Sequence, residues 1–238
     1  MDFRNEWKTM ISRTDVMTID HRLSAVTIQD FHARAGYYVV HSLYFGDNAD
    51  LPANISYVTA ARNSTIFRIR YYDDNLSYIK LEKKYESNGT SVIESCEVTK
   101  DFVYDILNSN FSEIVKDPMG RTGDELDPLI QEFYWNVIGN GMRPSLSVTY
   151  FRKPYLYSYG NVRVTIDYNF RLSKDVSGFL DPHSLDDTEG DSRYFLKLKW
   201  GNYLPEVIKS AVTLSSRRNT TYYIYDPVRH KDLIQEYY

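Results

Sequence analysis

The sequence predicts an α+β fold in which mainly antiparallel strands form one sheet of a single domain, residues 1–238. Several segments alternate with period two and are rich in Val, Ile, Tyr, Phe and Thr, which is typical of strands with two different faces. Turn signals such as Asp73-Asp74-Asn75 and Gly160-Asn161 lie between these segments or at their ends, which favours antiparallel pairing. A chain of 238 residues with 42% apolar composition can bury a core, and β-barrels of this length commonly form one domain.

Seven segments have the strand pattern: Phe3 to Met10, Tyr37 to Phe45, Ile66 to Tyr72, Tyr78 to Tyr85, Leu146 to Phe151, Val162 to Tyr168 and Arg193 to Trp200. Four have helical spacing: Thr14 to Ile28, Thr99 to Leu107, Leu126 to Ile138 and Leu204 to Leu214. Thr14-Asp15 opens the first helix, and Thr99 is a capping residue for the second. The segment from Val176 to Ser192 is predicted to be a long polar loop.

Charge and composition exclude several classes of function. The formal net charge of −4 argues against nonspecific binding of nucleic acid, which usually needs a basic domain or stripe. Apolar runs such as Tyr37 to Phe45 are far shorter than the roughly 18 residues of a membrane span. The N-terminus lacks the features of a secretory signal, and the single Cys96 cannot form an intrachain disulfide. We therefore expect a cytoplasmic protein with no membrane span of its own and no nucleic-acid partner.

Charged side chains recur at alternate positions of the predicted strands, so they share a face within each strand. The groups are Arg4, Glu6 and Lys8; Arg68 and Arg70; Glu82 and Lys84; Arg163, Thr165 and Asp167; and Lys197 and Lys199. One interpretation is that these are solvated outer faces of a sheet. The other is that apolar neighbours such as Ile69 and Leu81 pack under external helices, while the charges line a barrel interior. A barrel of about eight strands has room for one ligand, and the Arg fork suits bidentate phosphate binding.

Ordered motifs along the chain resemble one family. They include Arg4-Asn5-Glu6-Trp7-Lys8, Phe67-Arg68-Ile69-Arg70-Tyr71, Leu81-Glu82-Lys83-Lys84, Tyr150-Phe151-Arg152-Lys153-Pro154-Tyr155, Val162-Arg163-Val164-Thr165-Ile166-Asp167 and Leu196-Lys197-Leu198-Lys199-Trp200. In this order they resemble the vacuolar transporter chaperone (VTC) domain of polyphosphate polymerases, a branch of the triphosphate tunnel metalloenzymes. Each motif alone is weak, whereas the ordered set covers nearly the whole chain.

The resemblance implies a closed antiparallel β-barrel of about eight strands, a triphosphate tunnel with flanking helices. It implies a phosphotransferase that moves the terminal phosphate of ATP onto a polyphosphate chain. The residues that would hold phosphate and carry the reaction are Lys8, Arg68, Arg70, Lys84, Arg152, Arg163 and Lys199. Of these, Arg68, Arg70, Arg152 and Arg163 would also bind ATP. Glu6 and Glu82 would hold a divalent metal, Mn²⁺ or Mg²⁺, or form ion pairs with neighbouring cations.

The implied partners are ATP, pyrophosphate or polyphosphate, with a membrane protein as a further candidate. Phosphoryl transfer needs mainly positioning and charge neutralisation, which a cationic tunnel supplies.

Several positions depart from the family pattern on the charged face. Ile66 stands where the family has lysine, Thr221 falls in a signature that has lysine, and Lys197 replaces a metal-binding glutamate. Because an ammonium group cannot coordinate Mg²⁺ or Mn²⁺, metal-assisted transfer is in question.

Two further hypotheses therefore accompany a working polymerase. One is a catalytically impaired tunnel that binds polyphosphate or another polyanion as a sensor or accessory subunit. The other is a tunnel hydrolase, which is disfavoured because that branch opens with Glu-x-Glu-x-Lys and Arg4 takes the first glutamate position. His41 lies on a strand where the family tends to carry arginine, so it is either a pH-dependent phosphate contact or a structural histidine.

Overall fold

The computed structural model describes residues 4–46, 63–87, 90–110 and 127–214. The strands are β1 (Arg4–Ile11), β2 (Ile28–Gln29), β3 (Tyr38–Gly46), β4 (Asn63–Tyr72), β5 (Asn75–Ser87), β6 (Thr90–Val98), β7 (Arg143–Tyr157), β8 (Val162–Ser173) and β9 (Asp191–Trp200). The helices are α1 (Arg13–Val26), α2 (Lys100–Leu107), α3 (Pro128–Gly139) and α4 (Glu206–Ala211). The predicted α+β class is confirmed, whereas β2 and β6 were not predicted.

The nine strands form one antiparallel sheet in the order β2-β7-β3-β4-β5-β6-β1-β9-β8, with a further pairing between β7 and β8. Arg152 on β7 is therefore opposite Tyr38 of β3 on one side and Asp167 of β8 on the other. The β1–β6 contact is short and joins Arg4 and Asn5 to Ser91 and Thr90. Closure of the sheet into the predicted barrel stays a prediction.

The helices cover one face of the sheet, as the apolar alternation predicted. Helices α2 and α3 pack through Phe102 and Phe133 on Ile69 and Leu81 of β4 and β5. Helices α1 and α4 pack in a second core with the apolar residues of β8 and β9. Its members include Ile19 and Leu23 of α1, Ile208 of α4, Val162, Val164 and Ile166 of β8, and Leu196 and Leu198 of β9. Because strand side chains alternate, the charged residues of the same strands point to the opposite face.

Local capping explains where the helices begin. Helix α1 begins at Arg13, one residue before the prediction, because Ser12 and Asp15 form a capping box. The Ser12 hydroxyl accepts a 3.1 Å hydrogen bond from the Asp15 backbone N–H. Thr99 caps α2, as predicted, by accepting from the Phe102 N–H at 3.1 Å. At α3, Asp127 is the N-cap and Pro128 follows it, a position where the missing N–H costs nothing.

The turn between β7 and β8 requires glycine at position 160. Gly160 has φ 77°, and a Cβ there would lie 2.3 Å from the Tyr203 carbonyl oxygen. Its own carbonyl accepts a 2.9 Å hydrogen bond from Gly201 N–H. The turn is thus fixed against the segment after β9, which places the start of β8 beside the end of β9.

Candidate functional site

A cavity of about 250 Å³ lies on the face of the sheet opposite the helices. Every strand from β1 to β9 except β2 contributes a lining side chain. Seven of the nine predicted site residues line it: Lys8, Arg68, Arg70, Glu82, Arg152, Arg163 and Lys199. The other two, Glu6 and Lys84, lie next to them, with Lys84 Nζ 3.7 Å from Glu6 Oε1. The structure therefore brings all nine together, while their roles as phosphate or metal ligands stay predictions.

Four lysines surround the Glu6 carboxylate. Its oxygens lie 2.5 Å from Lys8 Nζ, 2.9 Å from Lys199 Nζ, 3.4 Å from Lys197 Nζ and 3.7 Å from Lys84 Nζ. The Glu6 side chain is only 3% exposed. Three strands bring the lysines together, because Glu6 is opposite Lys199 and Lys8 is opposite Lys197 between β1 and β9, while Lys84 comes from β5. We call Glu6 and these four residues the lysine cluster.

The lysine cluster shifts the proton equilibria of its members. Burial alone would raise the pKa of Glu6, but the four positive charges lower it far below its usual range. Burial lowers the pKa of Lys197 well below that of an ordinary lysine, and the neighbouring ammonium groups add to this while Glu6 opposes it. Burial also lowers the pKa of Lys199. A further negative charge at this point would stabilise the protonated lysines.

Two arginines of β4 share one carboxylate on the neighbouring strand. Arg68 Nε and Nη2 each lie 2.6 Å from Glu82 Oε2, and Arg70 Nη1 lies 3.6 Å from the same oxygen. Arg70 Nε also donates to Ser42 Oγ at 3.0 Å. Burial alone would raise the pKa of Glu82, but Arg68 and Arg70 lower it to about 2. The arginines are thus held in fixed positions that present a positive wall to the cavity.

Strands β7 and β8 contribute a bidentate ion pair. Arg152 donates from Nε to Asp167 Oδ1 and from Nη2 to Asp167 Oδ2, both at 2.6 Å. Arg152 Nη2 also donates to the Tyr150 hydroxyl at 3.0 Å. Burial alone would lower the pKa of Arg152, but the Asp167 charge raises it well above its usual value. Such a pair fixes the guanidinium plane at the cavity wall.

Arg163 is held by Asp30, which follows β2, and by Tyr38 of β3. Its Nη2 donates to Asp30 Oδ2 at 3.0 Å and to the Tyr38 hydroxyl at 2.8 Å. Burial alone would raise the pKa of Asp30, but hydrogen bonds from His32 and the charge of Arg163 lower it. Sequence reasoning missed Asp30 because it lies after α1, outside any strand pattern, and 133 positions from Arg163. Asp167, in contrast, was grouped with Arg163 by the strand alternation, and the structure pairs it with Arg152 of the neighbouring strand.

His41 is structural and does not line the cavity. Its ring stacks on Tyr71 with centroids 4.4 Å apart, and Nδ1 lies 3.1 Å from Thr149 Oγ1. Tyr71 in turn donates to the Phe179 carbonyl at 2.8 Å, which places the pair under the long loop that follows β8. Burial lowers the pKa of His41 to about 4. Of the two interpretations from sequence, the structural one therefore agrees with this geometry.

The described carboxylates of the cavity do not fit a divalent metal. Glu6 faces four ammonium groups, and Glu82 faces two guanidinium groups. Mg²⁺ and Mn²⁺ need several hard oxygen ligands with compensating negative charge. Across residues 4–46, 63–87, 90–110 and 127–214, no group of three or more His, Cys, Asp or Glu is placed to hold a metal ion.

Of the departures from the family pattern, Lys197 lies in the lysine cluster, Ile66 is a buried apolar residue, and Thr221 lies outside the described residues.

Two other expectations concern redox chemistry and membranes. Burial raises the pKa of the Cys96 thiol to about 12, so this thiol is a poor nucleophile. Within the described part of the chain, every helix is too short or too polar to cross a bilayer. The expected cytoplasmic location stays a prediction.

Comparisons with solved structures found distant similarities. A protein from Pyrococcus horikoshii OT3 is 10% identical with a TM-score of 0.41, over 98% of this chain and 89% of that one. A proposed adenylate cyclase from Bacillus halodurans is 14% identical with a TM-score of 0.47, over 92% and 96%. A conserved hypothetical protein from Pyrococcus furiosus is 15% identical with a TM-score of 0.39, over 88% and 85%. No curated protein sequence matched the chain.

The family comparison is more informative than these structures. The model of the VTC domain matches residues 3–223, which includes every residue of the cavity described above. This match agrees with the ordered motifs from Arg4 to Trp200 that suggested the same family. The chain, matched over nearly all of its 238 residues, belongs to the VTC domain family.

Proposed function

We propose that this domain binds the phosphate chain of polyphosphate or of ATP in the cationic cavity, and that binding is its main activity. The observation that carries the proposal is the lysine cluster, in which four ammonium groups converge within 3.7 Å of one buried carboxylate. Burying four positive charges together costs desolvation energy, so such a cluster is most favourable where an anion arrives. Membership of the VTC domain family supports a phosphate chain as that anion.

The proposal includes closure of the sheet into a barrel that surrounds the ligand. The pairing of β7 with both β3 and β8 supports a wall in which eight strands surround the ligand. The arginines at this wall are held by Glu82, Asp167 and Asp30, so their forks need little reordering to bind phosphate oxygens. A volume of about 250 Å³ lies just below the range of about 300–1,000 Å³ typical of small-molecule sites, which suits a few phosphate units.

Phosphoryl transfer is the second candidate function. A terminal oxygen of the polyphosphate would attack the γ-phosphorus of ATP, and the bond from that phosphorus to the β–γ bridging oxygen would break, releasing ADP. The presence of Arg68, Arg70, Arg152 and Arg163 together at the cavity favours it. Against it, the carboxylates do not fit the divalent metal that the family uses. A cytoplasmic location and a membrane-protein partner stay predictions under either function.

Calorimetry with a matched pair of variants tests the binding proposal. Lys84 and Lys83 are neighbours on β5 with opposite orientations: Lys84 is 1% exposed in the lysine cluster, while Lys83 pairs with Glu132 of α3 at 2.7 Å. A charge-assisted contact contributes about 1.5–3 kcal/mol, so Lys84→Gln should weaken binding of linear triphosphate by about 10- to 150-fold. Lys83→Gln should leave the affinity unchanged. Equal effects of the two changes would contradict the assigned site.

A gel assay separates binding from transfer. The purified protein is incubated with ATP and Mn²⁺, and the products are stained for polyphosphate. We expect tight binding of triphosphate in calorimetry without new chains on the gel. Chains on the gel that disappear in Lys84→Gln would establish the second function, whereas absence of both binding and chains would leave only the fold.

A further inference from the structure

One buried hydroxyl group on the cavity wall has no hydrogen-bond partner among the residues that the structure describes. It belongs to Thr165 of β8, which lines the cavity and is 4% exposed. A buried polar group that stays unsatisfied costs free energy, and native structures contain few such groups. An unsatisfied hydroxyl on a cavity wall therefore points to a partner that arrives with a ligand.

Two other hydroxyl groups beside the cavity are bonded to arginines. Ser42 Oγ accepts from Arg70 Nε at 3.0 Å, and the Tyr150 hydroxyl accepts from Arg152 Nη2 at 3.0 Å. These two hydroxyl groups hold guanidinium groups in place. The Thr165 hydroxyl makes no such bond to a described side chain, so building the wall does not account for it.

The neighbours of Thr165 in the sheet explain why its hydroxyl proton has no acceptor. Thr165 is opposite Lys197 of β9 and opposite Pro154 of β7. A protonated lysine has only donors, and the side chain of proline has no polar atom. Arg163, two positions earlier on the same face, also has only donors, while both oxygens of Asp167, two positions later, accept from the bidentate ion pair described above. An anion in the cavity would supply the missing acceptor.

We propose that the Thr165 hydroxyl donates a hydrogen bond to an oxygen of the bound phosphate chain, next to Lys197. This inference rests on the proposed function and adds a binding residue to it. Phosphate oxygens are strong acceptors, and a hydrogen bond to a charged acceptor is stronger than a neutral one. Where the ligand requires it, a change of the χ1 rotamer re-aims the hydroxyl without a movement of the backbone.

A hydroxyl contributes to such a site differently from a lysine or an arginine. It adds no charge, so it does not add to the desolvation cost of the buried cations. Its hydrogen bond is directional, so it depends on the position of one phosphate oxygen. Salt screens the attraction between charges, whereas Thr165 carries none. We therefore expect the contribution of Thr165 to affinity to stay nearly constant as salt rises.

Isosteric replacement tests the inference. Thr165→Val keeps the shape of the side chain and removes the hydroxyl. Because that hydroxyl has no partner among the described residues, the urea denaturation midpoint of the free protein should stay unchanged or rise. In calorimetry, Thr165→Val should weaken binding of linear triphosphate by about tenfold, at both low and high salt. Thr165→Ser, which restores the hydroxyl, should bind nearly as tightly as the wild type.

Thr149→Val is the matched control. Thr149 of β7 is also buried, but its hydroxyl lies 3.1 Å from His41 Nδ1 and it does not line the cavity. Removing a hydroxyl that has a buried partner leaves that partner unsatisfied. Thr149→Val should therefore lower the denaturation midpoint and leave the affinity for triphosphate unchanged, which is the opposite pattern to Thr165→Val.

The outcomes separate the inference from the proposed function. Unchanged triphosphate affinity in Thr165→Val, beside a wild type that binds, would overturn the inference and leave the proposed function intact. A lower denaturation midpoint in Thr165→Val would also overturn it, because the hydroxyl would then have a structural partner. Absence of triphosphate binding by the wild type would refute the proposed function, and the inference with it.

Titration with ATP distinguishes the two sources of a phosphate chain. A comparable loss of affinity for ATP and for linear triphosphate in Thr165→Val supports an oxygen that both ligands place at Thr165. A loss confined to one of the two supports that ligand as the occupant.

Discussion

The central test of the lysine cluster is replacement of its carboxylate by a neutral isostere, Glu6→Gln. Glu6 lies between 2.5 and 3.7 Å from four ammonium groups and is almost fully buried. Removing one partner from a buried ion pair costs about 3–5 kcal/mol, because the opposite charge is left without compensation. In a chain of this size, that loss corresponds to a melting temperature lower by about 6–20 °C.

A phosphate ligand should partly reverse this loss. In the wild type, an incoming phosphate competes with Glu6 for the lysines, whereas in Glu6→Gln it takes the place of the carboxylate. If Glu6→Gln binds triphosphate about tenfold more tightly than wild type, saturating triphosphate should reduce the difference in unfolding free energy between the two proteins by about 1.4 kcal/mol. The assay is urea denaturation of both proteins with and without linear triphosphate, at one ionic strength.

Glu132→Gln is the matched control for this experiment. It removes the partner of Lys83 on the helix-covered face, where the Glu132 side chain is 43% exposed. A partly exposed pair contributes about 0–1 kcal/mol, and triphosphate should not change that difference. An unaltered denaturation midpoint in Glu6→Gln, or equal stabilisation of Glu6→Gln and wild type by triphosphate, would refute the reasoning about the lysine cluster.

Four further predictions follow from the titrating groups. Glu82 has a pKa of about 2 against 4.5 in the unfolded chain, so its stabilisation of about 3 kcal/mol is present above pH 4.5 and lost towards pH 2. The Glu82→Gln protein should be less stable than wild type at pH 7 but equal to it at pH 2, as measured by urea denaturation. His41 has a pKa of about 4 against 6.5, so wild-type stability should fall by about 3 kcal/mol as pH drops between these values, and His41→Asn should show no such fall over that range. Because burial lowers the pKa of Lys197, triphosphate binding should raise that pKa and take up protons in the pH range where Lys197 titrates, detected by calorimetry in two buffers of different ionisation enthalpy, and Lys197→Gln should reduce the uptake. EDTA should not change wild-type binding of triphosphate, whereas Lys197→Glu should create measurable Mn²⁺ binding beside Glu6; a wild-type protein that needs Mn²⁺ to bind would contradict the metal-free site.

Much of the fold was predictable because it depends on short-range patterns. Strand alternation identified both faces of β4, β5 and β8, and Thr99 marked the start of α2 through its own hydroxyl. The same alternation grouped the cations that line the cavity, since neighbours two apart on a strand point the same way. Strand β6 was missed because Glu94 interrupts the apolar face formed by Val92, Cys96 and Val98. In the structure, nine residue pairs with β5 hold β6 in the sheet.

The amino-acid sequence by itself predicted seven of the nine strands, which face of these strands is charged, and the resemblance to the VTC domain family. Only the tertiary structure decided that four lysines converge on Glu6 and that Asp30 holds Arg163. The physical reason is the sequence separation of the residues that determine each feature. Alternation is set by each residue's immediate neighbours, whereas these contacts depend on the register between strands and on segments up to about 190 positions apart, as for Glu6 and Lys199.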